Sequence, residues 1–441
     1  MTTGMNVIRW SELDEAARAD ALTRPAVKAN PEIAAQAADI IAAVRRDGDA
    51  ALLRFAREFD RATLDSLQVG AAEAAGARAE LGADAIAAID TAVGNVERFH
   101  AAQLAPPIRV ETAPGVICER VSRPVPAVGL YVPAGSAPLP STAIMLAVPA
   151  RLAGCPVRII CTPPRPDGRA DPAVLVAAQA CGVEQIFKVG GAQAVAAMGY
   201  GTATVPKVDK IFGPGNAWVT AAKTQVAADP AGAALDMPAG PSEVMVVADA
   251  GADPEYVALD LMSQAEHGPD SQAILVCTDA ALAEATQRAI AAALPALPRR
   301  EIISASLQHG AVILTDDLGE AFDIVNRYAP EHLIIQVDNP RQFIDYIENA
   351  GSVFLGPWTP ESVGDYCSGT NHVLPTYGYA RSYSGLSVGS FQKQLTFQEL
   401  SREGLAGLGD TVTTLAGLEG LDAHAEAVRV RLRRQSKRGA A

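Results

Sequence analysis

Between residues 128 and 354 the chain alternates short β-branched runs with longer segments whose apolar positions recur every three or four residues. That change of period is the signature of repeated β/α units. The first series predicts strands at 128–132, 157–161, 185–189 and 207–212. Its helices are predicted at 144–153, capped by Ser141 and kinked by Pro149, at 172–181, opened by Asp171-Pro172, at 192–198 and at 217–226. A second series follows Gly240-Pro241, with strands at 243–247, 273–278, 311–314, 333–337 and 352–354. Its helices are predicted at 254–267, 280–293, 319–327 and 340–349. Apolar strands separated by helices form parallel sheets covered on both faces. The expected fold class is α/β, with two Rossmann-like parallel-sheet domains, a cofactor and substrate cleft between them, and helical N- and C-terminal extensions.

The flanks read differently. Residues 9–104 read as helices, with 33–46 and 50–59 amphipathic and Asp47-Gly48 as punctuation between them. After about Gly356 the pattern dissolves into a loop rich in Gly, Ser and Tyr, and beyond Thr396 it turns helical, at 408–415 and 424–432. A tail this short cannot bury a core by itself, so it must pack elsewhere, another subunit being one such place. The expected division is an extension at 1–24, a first α/β domain from 25–130 and 242–386, a second, cofactor-binding domain at 131–241, and the tail at 387–441.

A net charge of −14 and 20% charged residues exclude nucleic acid and anionic membrane as natural partners. The one basic run, Arg429 to Arg438, reads as a solvated helix end. No apolar stretch is long enough to span a membrane, and Glu12, Asp14, Glu15 and Asp20 rule out a signal peptide in the first 24 residues. The six cysteines (118, 155, 161, 181, 277, 367) lack C-x-x-C spacing, which fits reduced thiols in a cytoplasmic enzyme. Cys155 and Cys161 flank a predicted strand, where a buried structural thiol is commoner than a nucleophile.

Candidate chemistry begins at Leu261-Met-Ser-Gln-Ala-Glu-His-Gly268, which closes a helix opened by Asp253-Pro254 and stopped by Gly268-Pro269. Gln264 and His267, three apart, share a helical face. Two ligands do not make a metal site, and a histidine beside the helix dipole is the plainer reading. Among the remaining histidines, His332 follows Glu331 at the start of a predicted strand. His372 lies in the polar loop Gly369-Thr-Asn-His-Val-Leu-Pro-Thr376, and His424 stands five residues after Glu419; His100 and His309 have no such company. Asp365 offers a carboxylate from a predicted loop. Gln264, His267, Asp365 and His424 together form a nitrogen and oxygen donor set suited to zinc, with manganese or cobalt as substitutes. No short motif ties them together, and acids acting as caps beside hydrogen-bonded loop histidines would look the same. Val189-Gly-Gly-Ala-Gln-Ala194 and Phe212-Gly-Pro-Gly-Asn216 follow strands and open helices, where free N–H groups meet phosphate. Neither is the G-x-G-x-x-G fingerprint, and no ribose-binding acid follows at the usual spacing.

Seven motifs then occur in order: Gly129-Leu-Tyr-Val-Pro-Ala-Gly135, Gly213-Pro-Gly-Asn216, Ala239-Gly-Pro-Ser-Glu-Val244, Ser263-Gln-Ala-Glu-His-Gly268, Tyr328-Ala-Pro-Glu-His-Leu333, Gly369 to Thr376, and Glu419 with His424. Together they resemble the histidinol dehydrogenase family, from about Asn30 to Arg431. The resemblance implies a cytoplasmic enzyme with one zinc per subunit. Such an enzyme oxidises L-histidinol through L-histidinal to L-histidine, reducing two NAD, as the last step of histidine biosynthesis. It implies Gln264, His267, Asp365 and His424 as metal ligands, and Glu331 and His332 as catalytic proton acceptors. Substrate contacts would come from Ser242, Gln264, His267, His332, Asp365, His372, Glu419 and His424. Cofactor contacts would come from Tyr131, Gln193 and Asn216. It also implies a homodimer whose C-terminal segment crosses to complete the partner's site. The loop at 227–233 looks unlike many relatives, and Cys367 matches no family role. A relative oxidising sulfonated diols is disfavoured because Glu419 would repel a sulfonate. A zinc hydrolase without nicotinamide and a catalytically silent binding protein are the competing readings from other classes.

Overall fold

The apolar runs at 243–248 and 272–277 are buried at every position, as strands covered by helices on both faces must be. The computed structural model describes residues 4–25, 31–134, 137–238 and 240–438, with side chains through residue 433. Gly135, Ala239 and Asn30, which bound three of the segments above, lie outside the described residues, as do the side chains at the end of the basic C-terminal run. The described chain forms two units, residues 4–103 with 125–391 and residues 104–124 with 392–438.

The first unit holds two fully parallel sheets. One has five strands in the order Gln185–Lys188, Val157–Thr162, Ala127–Tyr131, Lys210–Phe212, Ala234–Leu235. The other has six, in the order Asn6–Arg9, Ala311–Leu314, Gln272–Cys277, Glu243–Ala248, His332–Gln336, Ser352–Leu355. Numbered from Ala127–Tyr131 and from Glu243–Ala248, five strands of each sheet run 3-2-1-4-5, the doubly wound order, with Asn6–Arg9 added at the edge of the second beside its strand 3. The expected α/β class with two Rossmann-like sheets is therefore what forms. Helix starts follow their caps: Asp171, Asn216, Asp253, Asp279 and Asp317 each accept a first-turn N–H.

The N-terminal region adds one element beyond the expected helices. Asn6–Arg9 lies along Ala311–Leu314 as an edge strand, too short for its alternation to register in the sequence. Asp365 belongs to the helix Glu361–Tyr366 rather than to a loop, and the expected helix at 340–349 is the 3-10 segment Pro340–Tyr346.

The second unit is an antiparallel sheet, Gln392–Leu400 against Val116–Pro124 against Ile108–Ala113, followed by the helices Arg402–Leu418 and Asp422–Arg438. The chain beyond Thr396 is thus not helical at once. Thr396 pairs with Arg120 inside a strand, and the helix begins only after Ser401 caps it. The tail's missing partner is the hairpin at 108–124, which supplies two of the three strands. Among the described residues no helix is long and apolar enough to cross a membrane, and all six cysteines are free thiols.

Candidate active site

A helix packed antiparallel to its strands returns the chain to the edge where the next strand begins. Helix Pro254–Ala265 therefore delivers Gln264 and His267 to the amino-terminal edge of the six-stranded sheet. Glu243 and His332 are the first residues of two adjacent strands on that edge, at the point where strand order reverses. Helix Glu361–Tyr366 adds Glu361 and Asp365, four apart and so on one face.

These side chains meet. His332 Nδ1 lies 3.2 Å from the Glu243 carbonyl, 3.6 Å from Glu331 Oε2 and 3.7 Å from Glu361 Oε1. Its Nε2 lies 3.4 Å from Asp365 Oδ1, too poorly aligned for a hydrogen bond. Glu331 Oε2 accepts the Glu243 N–H at 2.8 Å. With its amide nitrogen turned to Glu361, Gln264 donates to both oxygens of that carboxylate, at 2.9 Å to Oε2, and accepts from Glu243 N–H at 2.9 Å. Turned the other way, its oxygen would face carboxylate oxygens, which only a cation between them would make favourable. One donor atom each from His267, Glu361 and Asp365 lie within 4.8 Å of one another. His332 Nε2, Asp365 Oδ1 and His372 Nε2 are buried without a hydrogen-bond partner.

Burial works to depress the His332 pKa, but the Glu361 and Glu331 carboxylates outweigh it and hold the imidazole well above its usual value. Burial raises Glu331, and it pushes Glu361 up to about 8. Burial would also raise Asp365, yet the neighbouring His332 keeps it below the usual carboxylate range. Burial lowers His372, whose ring also feels the Asp365 charge. Beneath the cluster, Arg24 grips Glu243 through Nε–Oε1 at 2.5 Å and Nη2–Oε2 at 2.9 Å. Ser242, the residue before Glu243, accepts the Gln272 N–H through its carbonyl at 3.0 Å.

The second set of candidates lies at the carboxyl edge of the five-stranded sheet, again where strand order reverses. Tyr131 ends its strand there, and its hydroxyl accepts the Gly191 N–H at 3.0 Å. Gln193 sits buried in the first turn of helix Gly191–Tyr200, and Asn216 caps helix Ala217–Ala228. Gly213, at φ 123°, packs so closely on the Tyr131 carbonyl that a Cβ would collide with it. The caps Gly190 and Asn216 are uncharged here, whereas Asp249, Asp253 and Asp338 crowd the same edge of the six-stranded sheet. Uncharged caps at Gly190 and Asn216 leave those two helix starts open to a phosphate.

The loop carrying His372 touches both sheets' surroundings. Asn371 donates to the Met145 carbonyl at 2.7 Å, Gly240 N–H reaches Thr376 Oγ1 at 2.5 Å, and Tyr377 N–H reaches Glu243 Oε1 at 2.8 Å. Glu419 and His424 belong to the second unit, both exposed: Glu419 caps the end of helix Arg402–Leu418, and His424 lies in the first turn of helix Asp422–Arg438.

A sequence profile for histidinol dehydrogenase matches residues 22–432. The chain belongs to the histidinol dehydrogenase family. The histidinol dehydrogenase of Xanthomonas euvesicatoria pv. vesicatoria is 55% identical over 428 residues, 97% of this chain and 99% of that protein. That of Vibrio parahaemolyticus is 52% identical over the same share of this chain and 98% of its own. The crystal structure of histidinol dehydrogenase from Elizabethkingia anophelis superposes with a TM-score of 0.94 at 43% identity, covering 99% of each chain.

Within this histidinol dehydrogenase fold, the first unit brings Gln264, His267, Glu331, His332 and Asp365 into one cluster. Glu361 is the member that sequence reasoning missed. Its spacing of four from Asp365 was the available signal, hidden by reading the segment as loop.

Proposed function

We propose that the chain oxidises L-histidinol through L-histidinal to L-histidine with reduction of two NAD, at a zinc site in a homodimer. The observation that carries this reading is the buried Glu331-His332 pair, set beside the converging donors of His267, Glu361 and Asp365. Nitrogen and oxygen donors without thiolate suit zinc, and the orphaned His332 Nε2, Asp365 Oδ1 and His372 Nε2 leave buried polar atoms that a cation and a polar substrate would satisfy. Gln264, His267 and Asp365, with His424 of a second copy, would hold the ion. Zinc bound there would polarise the reacting hydroxyl, hold the substrate's nitrogens and offset the carboxylate charge that otherwise keeps His332 protonated.

An alcohol releases hydride only as its hydroxyl proton leaves, so a base must stand at that oxygen. His332 is that base, held by the Glu243 carbonyl at Nδ1 with Nε2 free to receive the proton. The second oxidation requires water added to the aldehyde, and Glu331, fixed by the Glu243 N–H, takes the proton from that water. Ser242 and His372 border the same cluster and would contact the substrate, with Glu419 of the second copy attracting its positive charge. Tyr131, Gln193 and Asn216 would meet the nicotinamide dinucleotide at a sheet edge free of acidic caps at its switch point. The test is NAD reduction with histidinol against a panel of amino and sulfonated alcohols. Histidinol should be preferred by orders of magnitude; preference for a sulfonated diol would overturn the substrate assignment.

A further inference from the structure

Helix Ala217–Ala228 buries a lysine. Lys223 is 6% exposed, on the face that also buries Val219, Ala222 and Val226. A buried cation must be paired, and its partner is Asp236, whose side chain is 1% exposed. Asp236 follows the edge strand Ala234–Leu235, and Lys223 stands on the helix before that strand. Both reach back to one residue of the turn that opens the helix. Lys223 Nζ donates to the Gly213 carbonyl at 2.9 Å, and Asp236 Oδ2 accepts the Gly213 N–H at 2.8 Å. Asp236 Oδ1 accepts from the Met237 N–H at 2.8 Å and from Lys223 Nζ. A buried ion pair adds little stability over an apolar pair of similar volume, so folding alone does not account for this one.

We propose that Lys223 and Asp236 are positioning residues for the dinucleotide, locking Gly213 so that the turn at 213–216 presents Asn216 and its helix start in one geometry. This rests on the NAD reading above. Gly213 lies at φ 123°, has no side chain to anchor it, and is the residue type that loses most freedom on being fixed. Both of its backbone polar groups end on the ion pair. An unpaired carboxylate at this turn would repel a phosphate, and the lysine cancels that charge. Without the clamp, the turn must be ordered each time the dinucleotide binds. Fixing one residue's backbone costs about 1–2 kcal/mol, which corresponds to about 5–30-fold in affinity.

Lys223→Met combined with Asp236→Asn removes both charges together and strands no buried ion. Asp236→Asn alone keeps an acceptor for the lysine but sets an amide nitrogen against one of the two N–H groups. NADH affinity is read by fluorescence titration of the full-length protein, alongside kcat and the KM values for NAD and histidinol. Both variants should bind NADH about 5–30-fold more weakly and raise the KM for NAD by a similar factor. In both, kcat at saturating NAD and the KM for histidinol should stay within about threefold of the parent, because neither residue belongs to the His332 cluster. NADH affinity of the double variant within about threefold of the parent overturns the proposal. So does an equal loss in NADH affinity and in the KM for histidinol, which would make the pair a structural support of the whole enzyme. Should the double variant fail to fold, Asp236→Asn decides alone by the same criteria. If the parent protein binds no NADH, the cofactor reading itself fails and this inference falls with it.

Discussion

Replacing Arg24 by Met tests how the floor of the site is held. The Arg24 side chain is 10% exposed and that of Glu243 3%. Besides the two contacts to Glu243, the guanidinium donates to the Tyr328 carbonyl at 2.9 Å and lies 3.9 Å from the Tyr328 ring centroid. Removing one partner of a buried ion pair leaves an uncompensated charge and costs about 3–5 kcal/mol. At the lower end of the roughly 2–4 °C per kcal/mol seen for long domains, melting should fall by about 6–10 °C. Glu243→Gln in the same chain removes the stranded charge while keeping an acceptor for Tyr377 N–H, now 2.8 Å from Oε1. The double variant should therefore recover roughly 1–3 kcal/mol relative to Arg24→Met alone. Urea unfolding of the four proteins in the cycle measures this. A single-variant loss below about 1 kcal/mol, or simple additivity in the cycle, would refute the claim that this pair anchors the Glu243 backbone beneath Glu331 and His332.

The remaining predictions concern chemistry, titration and assembly. Glu331→Gln should lose about 10²–10⁴-fold chiefly in oxidation started from histidinal, whereas His332→Asn should impair both half-reactions; equal losses for Glu331→Gln in both assays would end the proposed division of labour. Burial pushes the Asp60 carboxyl up to about 6, and its Oδ2 has no hydrogen-bond partner. The folded state thus binds this proton more tightly than the unfolded one, and stability falls as pH rises from about 4 through 6. Asp60→Asn should melt above the parent at pH 8 and level with it at pH 4; the same gap at both values would contradict this. His424→Ala and His332→Ala homodimers should each be nearly inactive, and mixed dimers should regain part of the activity. Verified mixed dimers that stay inactive would exclude a site shared between copies.

Much of the first unit was legible because burial on both faces leaves continuous apolar runs, as in Ala311–Leu314, whose limits the sequence pattern predicts to the residue. Cap chemistry did the same for helix starts at Asp171-Pro172 and Asp253-Pro254. The antiparallel sheet was not legible: eight of the nine residues of Gln392–Leu400 are exposed in the described chain, so no buried face imposes a period on them. Glu361–Tyr366 is too short for helical periodicity to show. Arg24 and Glu243 are 219 residues apart, and nothing in the local pattern of either announces the other. The cluster's residue types pointed to a metal and a proton acceptor, but family resemblance, not spacing, joined them into one site.

The central claim is tested most directly by stripping the enzyme of metal with a chelator, verifying the loss, and following NAD reduction on histidinol before and after zinc is returned. The account predicts no reduction in the stripped enzyme. It predicts restored activity with zinc, and two NADH formed for each histidine produced. Full activity in verified metal-free enzyme, or one NADH per histidinol with the aldehyde as the end product, would contradict it.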